Sequence, residues 1–341
     1  MTEPSITKQP PVARFAAGPT IREWSRKNGF SDWMVARLVQ LTDRPNDLLE
    51  GLLAKPPRYI RANPLRISVE ELKKRLENKN FSVARNELDP NVLKIRQAPM
   101  SPGATIEHML GMSTPQDLAS ASAPLALGAQ PGDIVADLAA APGIKTLHIA
   151  GDLATGRRAE VGAIVAVEPD KERMLGLRFN LERCGATSVV LRQERAQDTP
   201  GEAWADRVLL DAPCTGEGTI PKDKNRRFAK PEEISQNVIL QRELLAAADR
   251  ILKPGGTLVY ATCTFAPEEN EAQLQTLLEK GYRMEPLDFE SVGSVPLAKG
   301  VTTWPGFTLD SSLSKARRFL PGIHPTLGFF VAKLTKREGA P

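Results

Sequence analysis

From residue 134 onward the chain alternates short apolar runs with helical stretches, and this rhythm restricts the fold more than any other feature. Ile134-Val135-Ala136-Asp137-Leu138, Ala163-Ile164-Val165-Ala166-Val167-Glu168, Val189-Val190-Leu191, Arg207-Val208-Leu209-Leu210-Asp211 and Thr257-Leu258-Val259-Tyr260-Ala261 read as strands. Between them lie a helix through Ile149, another over Lys171 to Cys184, and a long one from about Pro231 to Leu252. Lys253-Pro254-Gly255-Gly256 stops the last helix and turns the chain into a strand. Alternation of this kind marks an α/β fold, a doubly wound Rossmann-like parallel sheet with helices on its faces.

The first hundred residues follow other rules. Residues 18 to 54 carry helical periodicity in Trp33, Met34, Leu38, Leu41, Leu48, Leu49 and Leu52, interrupted at Arg44-Pro45. Tyr59 to Ile67 reads as a strand, Ser68 as an N-cap before Val69, Leu72 and Leu76, and Phe81–Val83 and Val92–Ile95 as short strands around an Asp89-Pro90-Asn91 turn. The chain thus divides into a helical lead-in (1–54), a small α+β unit (55–103) and a large α/β domain (104–341). Residues 1–100 hold 18 Lys and Arg against 11 Asp and Glu, while the remainder holds 27 against 30. A basic appendage beside a near-neutral body suits a phosphate-bearing partner such as RNA. The polar, proline-containing N-terminus has no apolar core of a signal or anchor, and no run is long enough to span a bilayer. Three irregularly spaced cysteines without paired histidines argue against disulfides and against a metal site, and a reducing cytoplasm is expected.

In an open parallel sheet, ligands bind beyond the carboxyl ends of the strands, so the residues following each strand carry the functional information. After the first strand comes a small-residue loop, Ala139-Ala140-Ala141-Pro142-Gly143-Ile144-Lys145, which lets backbone approach a ligand and opens a helix whose free N–H groups face an anion. After the second comes Glu168, at the position where such folds bind ribose hydroxyls. The loop lacks Gly-x-Gly-x-x-Gly, so S-adenosylmethionine, which has a ribose and a carboxylate but no pyrophosphate, suits it better than a dinucleotide. The last two strands each end near a cysteine, Cys214 in Asp211-Ala212-Pro213-Cys214 and Cys263 in Ala261-Thr262-Cys263-Thr264. Either alone reads as a small buried hydrophobe. Two thiols and a carboxylate beside a methyl-donor site suit carbon methylation of a pyrimidine, because thiolate addition at C6 activates C5 and a second group must then remove the C5 proton.

These residues resemble the Nop/Sun family of RNA 5-methylcytosine methyltransferases. The likeness is carried by Arg61-Ala62-Asn63-Pro64-Leu65-Arg66, Gln116-Asp117-Leu118-Ala119-Ser120, Ala140 to Thr146, Asp211 to Thr219, Tyr260 to Thr264 with Pro267-Glu268-Glu269-Asn270-Glu271, and Gly328 to Lys333. It implies a class I methyltransferase sheet, S-adenosylmethionine as cofactor, Cys263 as nucleophile and Cys214 as the group assisting release. It also implies Asp211 facing cytosine N3 and Lys145 beside the reacting groups. Cofactor contacts would fall on Ala139 through Lys145, Glu168, Arg173, Glu194 and Asp211. Ile144 stands where the family carries a second glycine.

The resulting expectation is methyl transfer to C5 of cytosine in structured RNA, tRNA rather than ribosomal RNA because the N-terminal region is short. A ribosomal RNA enzyme, a non-catalytic RNA-binding assembly factor and an exocyclic amino-methyltransferase are the rivals. Lys222-Asp223-Lys224-Asn225-Arg226-Arg227 reads as an RNA contact or a solvated loop. Arg317-Arg318-Phe319 reads as the nucleic-acid side or a surface turn, and His108, His148 and His324 as satisfied or exposed side chains.

Overall fold

A computed structural model of the chain describes residues 12–154 and 162–339, so residues 1–11 of the polar N-terminus lie outside the described residues. The periodic segment forms three helices, α1 (Pro19–Asn28), α2 (Asp32–Leu38) and α3 (Pro45–Leu53). Their starts are local: Ser31 Oγ accepts from Met34 N at α2, and prolines fill the first turns of α1 and α3, where a backbone N–H has no partner in any case. Met34, Leu38, Leu48 and Leu52 pack against Ile220, Phe265 and Leu320 of the large domain, so the lead-in is docked rather than free-standing.

The second unit contains β1 (Arg58–Ala62), α4 (Val69–Glu77), β2 (Ser82–Arg85), β3 (Val92–Gln97), a short α5 (Ile106–Met109) and β4 (Ser113–Pro115). Its sheet has the order β2-β3-β1-β4, all antiparallel, over a core of Ile60, Leu72, Leu76, Phe81, Leu93 and Ile95. Ser68 caps α4, its hydroxyl accepting from Glu71 N at 3.2 Å. The first strand stops at Ala62 instead of running to Ile67, because Asn63 Oδ1 accepts from Leu65 N and Pro64 has no N–H for a ladder. The sheet also does not end at residue 103, since β4 belongs to it.

The large domain continues with α6 (Leu118–Leu127), β5 (Ile134–Asp137), α7 (Ile144–Leu153), β6 (Ala163–Val167), α8 (Lys171–Cys184), β7 (Val189–Arg192), β8 (Ala205–Asp211), α9 (Pro231–Ile251), β9 (Leu252–Thr262) and α10 (Glu271–Glu279). After these come β10 (Arg283–Glu285), the hairpin β11 (Ser291–Val292) and β12 (Val295–Pro296), β13 (Ala298–Lys299), the hairpin β14 (Thr303–Trp304) and β15 (Phe307–Thr308), β16 (Arg317–Phe319) and β17 (Phe329–Thr335). The main sheet runs β13-β16-β17-β9-β8-β5-β6-β7, with β10 beside β17. Strands β5 to β9 are parallel, as the alternation implies, but β17 is antiparallel to β9 and extends the sheet in a mixed sense. Apolar clusters cover both faces, one including Leu210, Leu244, Leu258 and Phe330, the other Ala119, Val135, Ile149 and Val259.

Part of the N-terminal positive charge is structural. Arg37 and Arg61 are buried; Arg61 Nε lies 3.3 Å from Asp89 Oδ2, and Arg66 Nε donates to the Cys184 carbonyl at 3.3 Å. Asn63 Nδ2 bridges the Gly111 and Cys184 carbonyls at 2.8 Å each, tying the small sheet to the end of α8. Arg317-Arg318-Phe319 is neither a surface turn nor a nucleic-acid face: it is the buried strand β16, with Arg318 Nε on Glu271 Oε1 at 2.8 Å. His108 and His324 have hydrogen-bond partners, but His148 is fully buried with neither ring nitrogen bonded, and burial, with Arg61 adding to it, holds it well below its ordinary pKa.

Arg37 reaches from α2 into the loops of the large domain, Nη1 on Glu217 Oε1 and Nη2 on Glu268 Oε2, each at 3.0 Å. Replacing it with alanine strands two buried carboxylates, and removing one member of a buried pair costs about 3–5 kcal/mol. Arg37→Ala is therefore expected to lower unfolding stability in urea by that order, while Arg44→Ala, whose ion pair is exposed, leaves it within about 0.5 kcal/mol. Equal midpoints for the two variants would show that Arg37 is not a structural tie.

Candidate active site

Strand β5 lies between β6 on one side and β8 on the other, and the strand order reverses there. A cleft of about 550 Å³ opens beyond the ends of these strands. Ala139, Ala141, Pro142, Ile144, Lys145, Arg173, Asp211, Cys214 and Cys263 all line it.

The two cysteines meet because β8 and β9 are parallel neighbours. Asp211 pairs with Ala261, and Ala212 N donates to Ala261 O at 2.8 Å, so both chains leave the sheet at one level. The sulfurs end 3.4 Å apart, a thiol hydrogen-bond distance. Each cysteine is followed by a threonine, and these form a second link: Thr215 Oγ1 and Thr264 Oγ1 are 2.7 Å apart. Both hydroxyls point to Glu269, whose Oε1 accepts from Thr215 Oγ1 at 2.5 Å and from Thr264 Oγ1 at 3.3 Å. Its Oε2 accepts from Thr215 N and Gln241 Nε2 at 3.0 Å each.

The thiols are electrostatically unequal. Cys263 is held below its ordinary pKa chiefly by the hydrogen bond from Cys214, with Lys145 helping against burial and against Asp211. Cys214 is pushed well above, chiefly by its hydrogen bond to Cys263, with withdrawal from water adding to it. The opposite directions make Cys263 the more readily ionised thiol of the pair. Burial would lower Lys145, yet its ion pair to Asp211, Nζ to Oδ2 at 2.5 Å, outweighs this and holds the ammonium above its ordinary pKa. The ammonium also lies 5.4 Å from the Phe329 ring centroid. Burial raises Glu269 to about 8, with the Glu217 charge adding to it, so this acid is mostly protonated at neutral pH.

The loop between β5 and α7 is shaped for close approach. Gly143 has φ 97°, a backbone conformation that strains any side chain, and a Cβ there would stand 2.7 Å from Leu177 Cδ1 and force that side chain to move. Asn180 Nδ2 holds the Pro142 carbonyl at 2.9 Å and Arg173 Nη2 the Ala141 carbonyl at 3.1 Å. Ala140 and Glu168 are buried, and Glu168 Oε2 lies 3.4 Å from Arg173 Nη2. Asp137 is buried with Oδ2 accepting from Thr146 Oγ1 at 2.7 Å while Oδ1 has no protein partner; burial lifts this carboxyl to about 6. Asp137 does not line the cleft; the small residues Ala139, Ala141 and Pro142 do, immediately before α7, whose N-terminus has no side-chain cap, and such free N–H groups fit a polar, anionic cofactor group. Glu194 stands apart: it does not line the cleft, and Arg192 takes both its oxygens at 2.6 and 2.8 Å, holding it below its ordinary pKa.

Phe329, Asp117 and Asn237 line the cleft without having been singled out as site residues, and Glu269 with the two threonines lies beneath it. The signal for the latter is a threonine after each cysteine and the acid cluster of Pro267 to Glu271 shortly after the second. Among the described residues no three His, Cys, Asp or Glu side chains gather as a metal site, and no helix is long and apolar enough to cross a membrane.

Residues 124–335 match the 16S rRNA methyltransferase RsmB/F family, and residues 30–101 match the RsmF/B-like ferredoxin-like domain. The tRNA (cytosine(49)-C(5))-methyltransferase of Pyrococcus abyssi is 34% identical over 314 residues, covering 88% of this chain and 96% of that protein. The chain belongs to the Nop/Sun family of RNA 5-methylcytosine methyltransferases. Nop/Sun proteins use S-adenosylmethionine. A 26S rRNA (cytosine-C(5))-methyltransferase, nsun-1 of Caenorhabditis elegans, is 33% identical over 331 residues, but the chain spans only 47% of its length. Among solved structures, a methyltransferase homolog from Pyrococcus horikoshii superposes with a TM-score of 0.81 at 34% identity, over 94% of this chain and 99% of that one. NSun6 from Pyrococcus horikoshii, solved with SFG, gives 0.77 at 25% identity, over 91% of this chain and 99% of that one.

In this Nop/Sun protein, the Cys214 hydrogen bond is the leading cause of the low Cys263 pKa. Loss of a donor to a thiolate raises its pKa, so Cys214→Ala should move the pH midpoint for alkylation of Cys263 by iodoacetamide upward. Peptide mass spectrometry across pH 6 to 10 reads it, and an unchanged or lower midpoint would refute the thiol–thiolate pairing.

Proposed function

We propose that this protein transfers a methyl group from S-adenosylmethionine to C5 of a cytosine in structured RNA, with tRNA as its substrate class. The 3.4 Å approach of Cys214 and Cys263 beside the Lys145–Asp211 pair carries the reading. The likeness to the Pyrococcus abyssi tRNA (cytosine(49)-C(5))-methyltransferase, 34% identical over 88% of this chain, supports tRNA.

The cofactor is assigned to Ala139 through Lys145, Glu168, Arg173 and Asp211; Glu194, whose carboxylate Arg192 occupies, is not included. When bound there, S-adenosylmethionine supplies an electrophilic methyl group. C5 of cytosine is too weak a nucleophile to take it unaided. The Cys263 thiolate adds to C6 while N3 takes up a proton from solvent, steadied by Asp211, which Lys145 holds, and given back to solvent when Cys263 is eliminated; the enamine so formed is nucleophilic at C5. Bonding of Cys263 to carbon removes the negative charge that kept the proton on Cys214. That thiol then ionises to solvent, takes the C5 proton, and permits elimination of Cys263. The target base must leave its stack for C6 to reach the sulfur.

The division of labour sets a clear expectation on denaturing gels. Cys214→Ala should accumulate a covalent protein–RNA adduct in the presence of cofactor, and Cys263→Ala should form none. Variants indistinguishable from wild type would remove the mechanism, and full methylation by Cys263→Ala would instead favour an exocyclic amino group as acceptor. Bisulfite sequencing of total RNA from cells with and without the gene identifies the substrate: a lost signal confined to ribosomal RNA would overturn the tRNA assignment.

A further inference from the structure

Between the Cys214 loop and α9 runs the segment Lys222–Phe228, ending in a short 3-10 turn, Lys224–Phe228. Its cations are not equivalent. Arg227 is committed to the fold, with its guanidinium 4.8 Å from the Phe30 ring centroid and Nη1 donating to the Asn28 carbonyl at 3.0 Å. Arg226 is steadied by the Thr215 carbonyl at 3.2 Å and by Asp223 Oδ2 at 3.4 Å, yet still lines the catalytic cleft. Lys222 lines the same cleft and is exposed; it forms no ion pair within 4 Å among the described residues, though its charge acts on Asp117 in the same cleft. On the far side of Arg226 lies a second cavity of about 350 Å³, walled by Arg226, Asn225, Phe228 and Glu233.

Arg226 is therefore the partition between the two spaces. Phe228 is 58% exposed and makes no ring contact among the described residues. A single exposed apolar side chain is ordinary by itself. In a cavity that shares a cationic wall with the catalytic cleft, a free aromatic face has the chemistry of a base-stacking platform. Asp223 and Glu233 also line this cavity, each carboxylate turned to a local cap, Asp223 Oδ1 accepting from Asn225 N at 3.1 Å and Glu233 Oε1 from Lys230 N at 3.2 Å, so the cationic contact is confined to the Arg226 side.

We infer that the second cavity receives the nucleotide adjoining the target cytosine, its base stacked on Phe228 and the linking phosphate on Arg226 and Lys222. The inference rests on the reading of the protein as an RNA methyltransferase. Arg226 lines both spaces, so a strand running from the cleft into the second cavity passes its guanidinium, a group suited to a phosphodiester. Stacking selects for a base face rather than a sequence, so this subsite contributes register more than identity.

The test is steady-state methylation of an RNA hairpin carrying the target cytosine, with an abasic nucleotide placed in turn on each side of it. Phe228→Ala is expected to raise KM for RNA about 5- to 100-fold with kcat little changed, the span expected for one lost base–aromatic stack. Phe228→Trp should retain wild-type KM, and Phe228→Leu, which keeps apolar bulk without a flat ring, should behave like alanine. One abasic position should reproduce the rise, and combining it with Phe228→Ala should add nothing further, since both remove the same contact. Lys222→Ala should reduce the slope of log KM against log salt by about one contact. An unaltered KM in Phe228→Ala, a wild-type KM in Phe228→Leu, or full additivity with both abasic substrates would overturn the subsite alone. Absence of 5-methylcytosine with the wild-type protein would overturn the underlying function and the subsite with it.

Discussion

The site depends on a buried polar knot beneath the two cysteine loops. Glu217, Glu268 and Glu269 are all withdrawn from water, and Arg37 is the guanidinium that reaches two of them. Glu269 lies beyond the reach of Arg37, and burial, with the Glu217 charge adding to it, pushes its carboxyl up to about 8. It links the threonines that follow Cys214 and Cys263, while Glu217 Oε2 accepts from Phe265 N at 3.3 Å just beyond the second cysteine. The separation of the sulfurs is thus set from below, by side chains that touch no substrate.

That knot explains why the lead-in helices belong to the enzyme rather than to an appendage. Arg37 and Glu217 are 180 residues apart in sequence, and Trp33 lies against the guanidinium at 4.6 Å. Loss of α2 would leave buried charge under the reacting groups. The small sheet is fixed differently, through Asn63 and Arg66 on the carbonyl that ends α8, the helix that also holds Pro142 and Ala141 in the cofactor loop. Both N-terminal units therefore meet the methyltransferase domain at elements that shape the cleft.

The parts of the structure legible in the sequence are those governed by local rules. The alternation after residue 134, the Ser68 cap, the proline starts of α1 and α3 and the strand ends bearing Cys214 and Cys263 each depend on a few neighbouring residues. Strands of two or three residues such as β4, β13 and β16 have no local pattern, because their pairing partners are remote and only the tertiary fold specifies them. Charge misleads for the same reason. Arg37, Arg61 and Arg318 read as basic surface but are buried in ion pairs that no spacing announces. Glu194 follows its strand as the resemblance implies, and its carboxylate is paired with Arg192 two residues before it.

The unequal thiols are the centre of this account, and the most direct measurement is to identify which one bonds to the base. RNA containing 5-fluorocytosine stalls after methyl transfer, because fluorine cannot leave as a cation, so the covalent complex persists and can be digested. Mass spectrometry of the crosslinked peptide should place the nucleotide on Cys263. A crosslink on Cys214, or none from a preparation that methylates ordinary RNA, would contradict the assignment of roles.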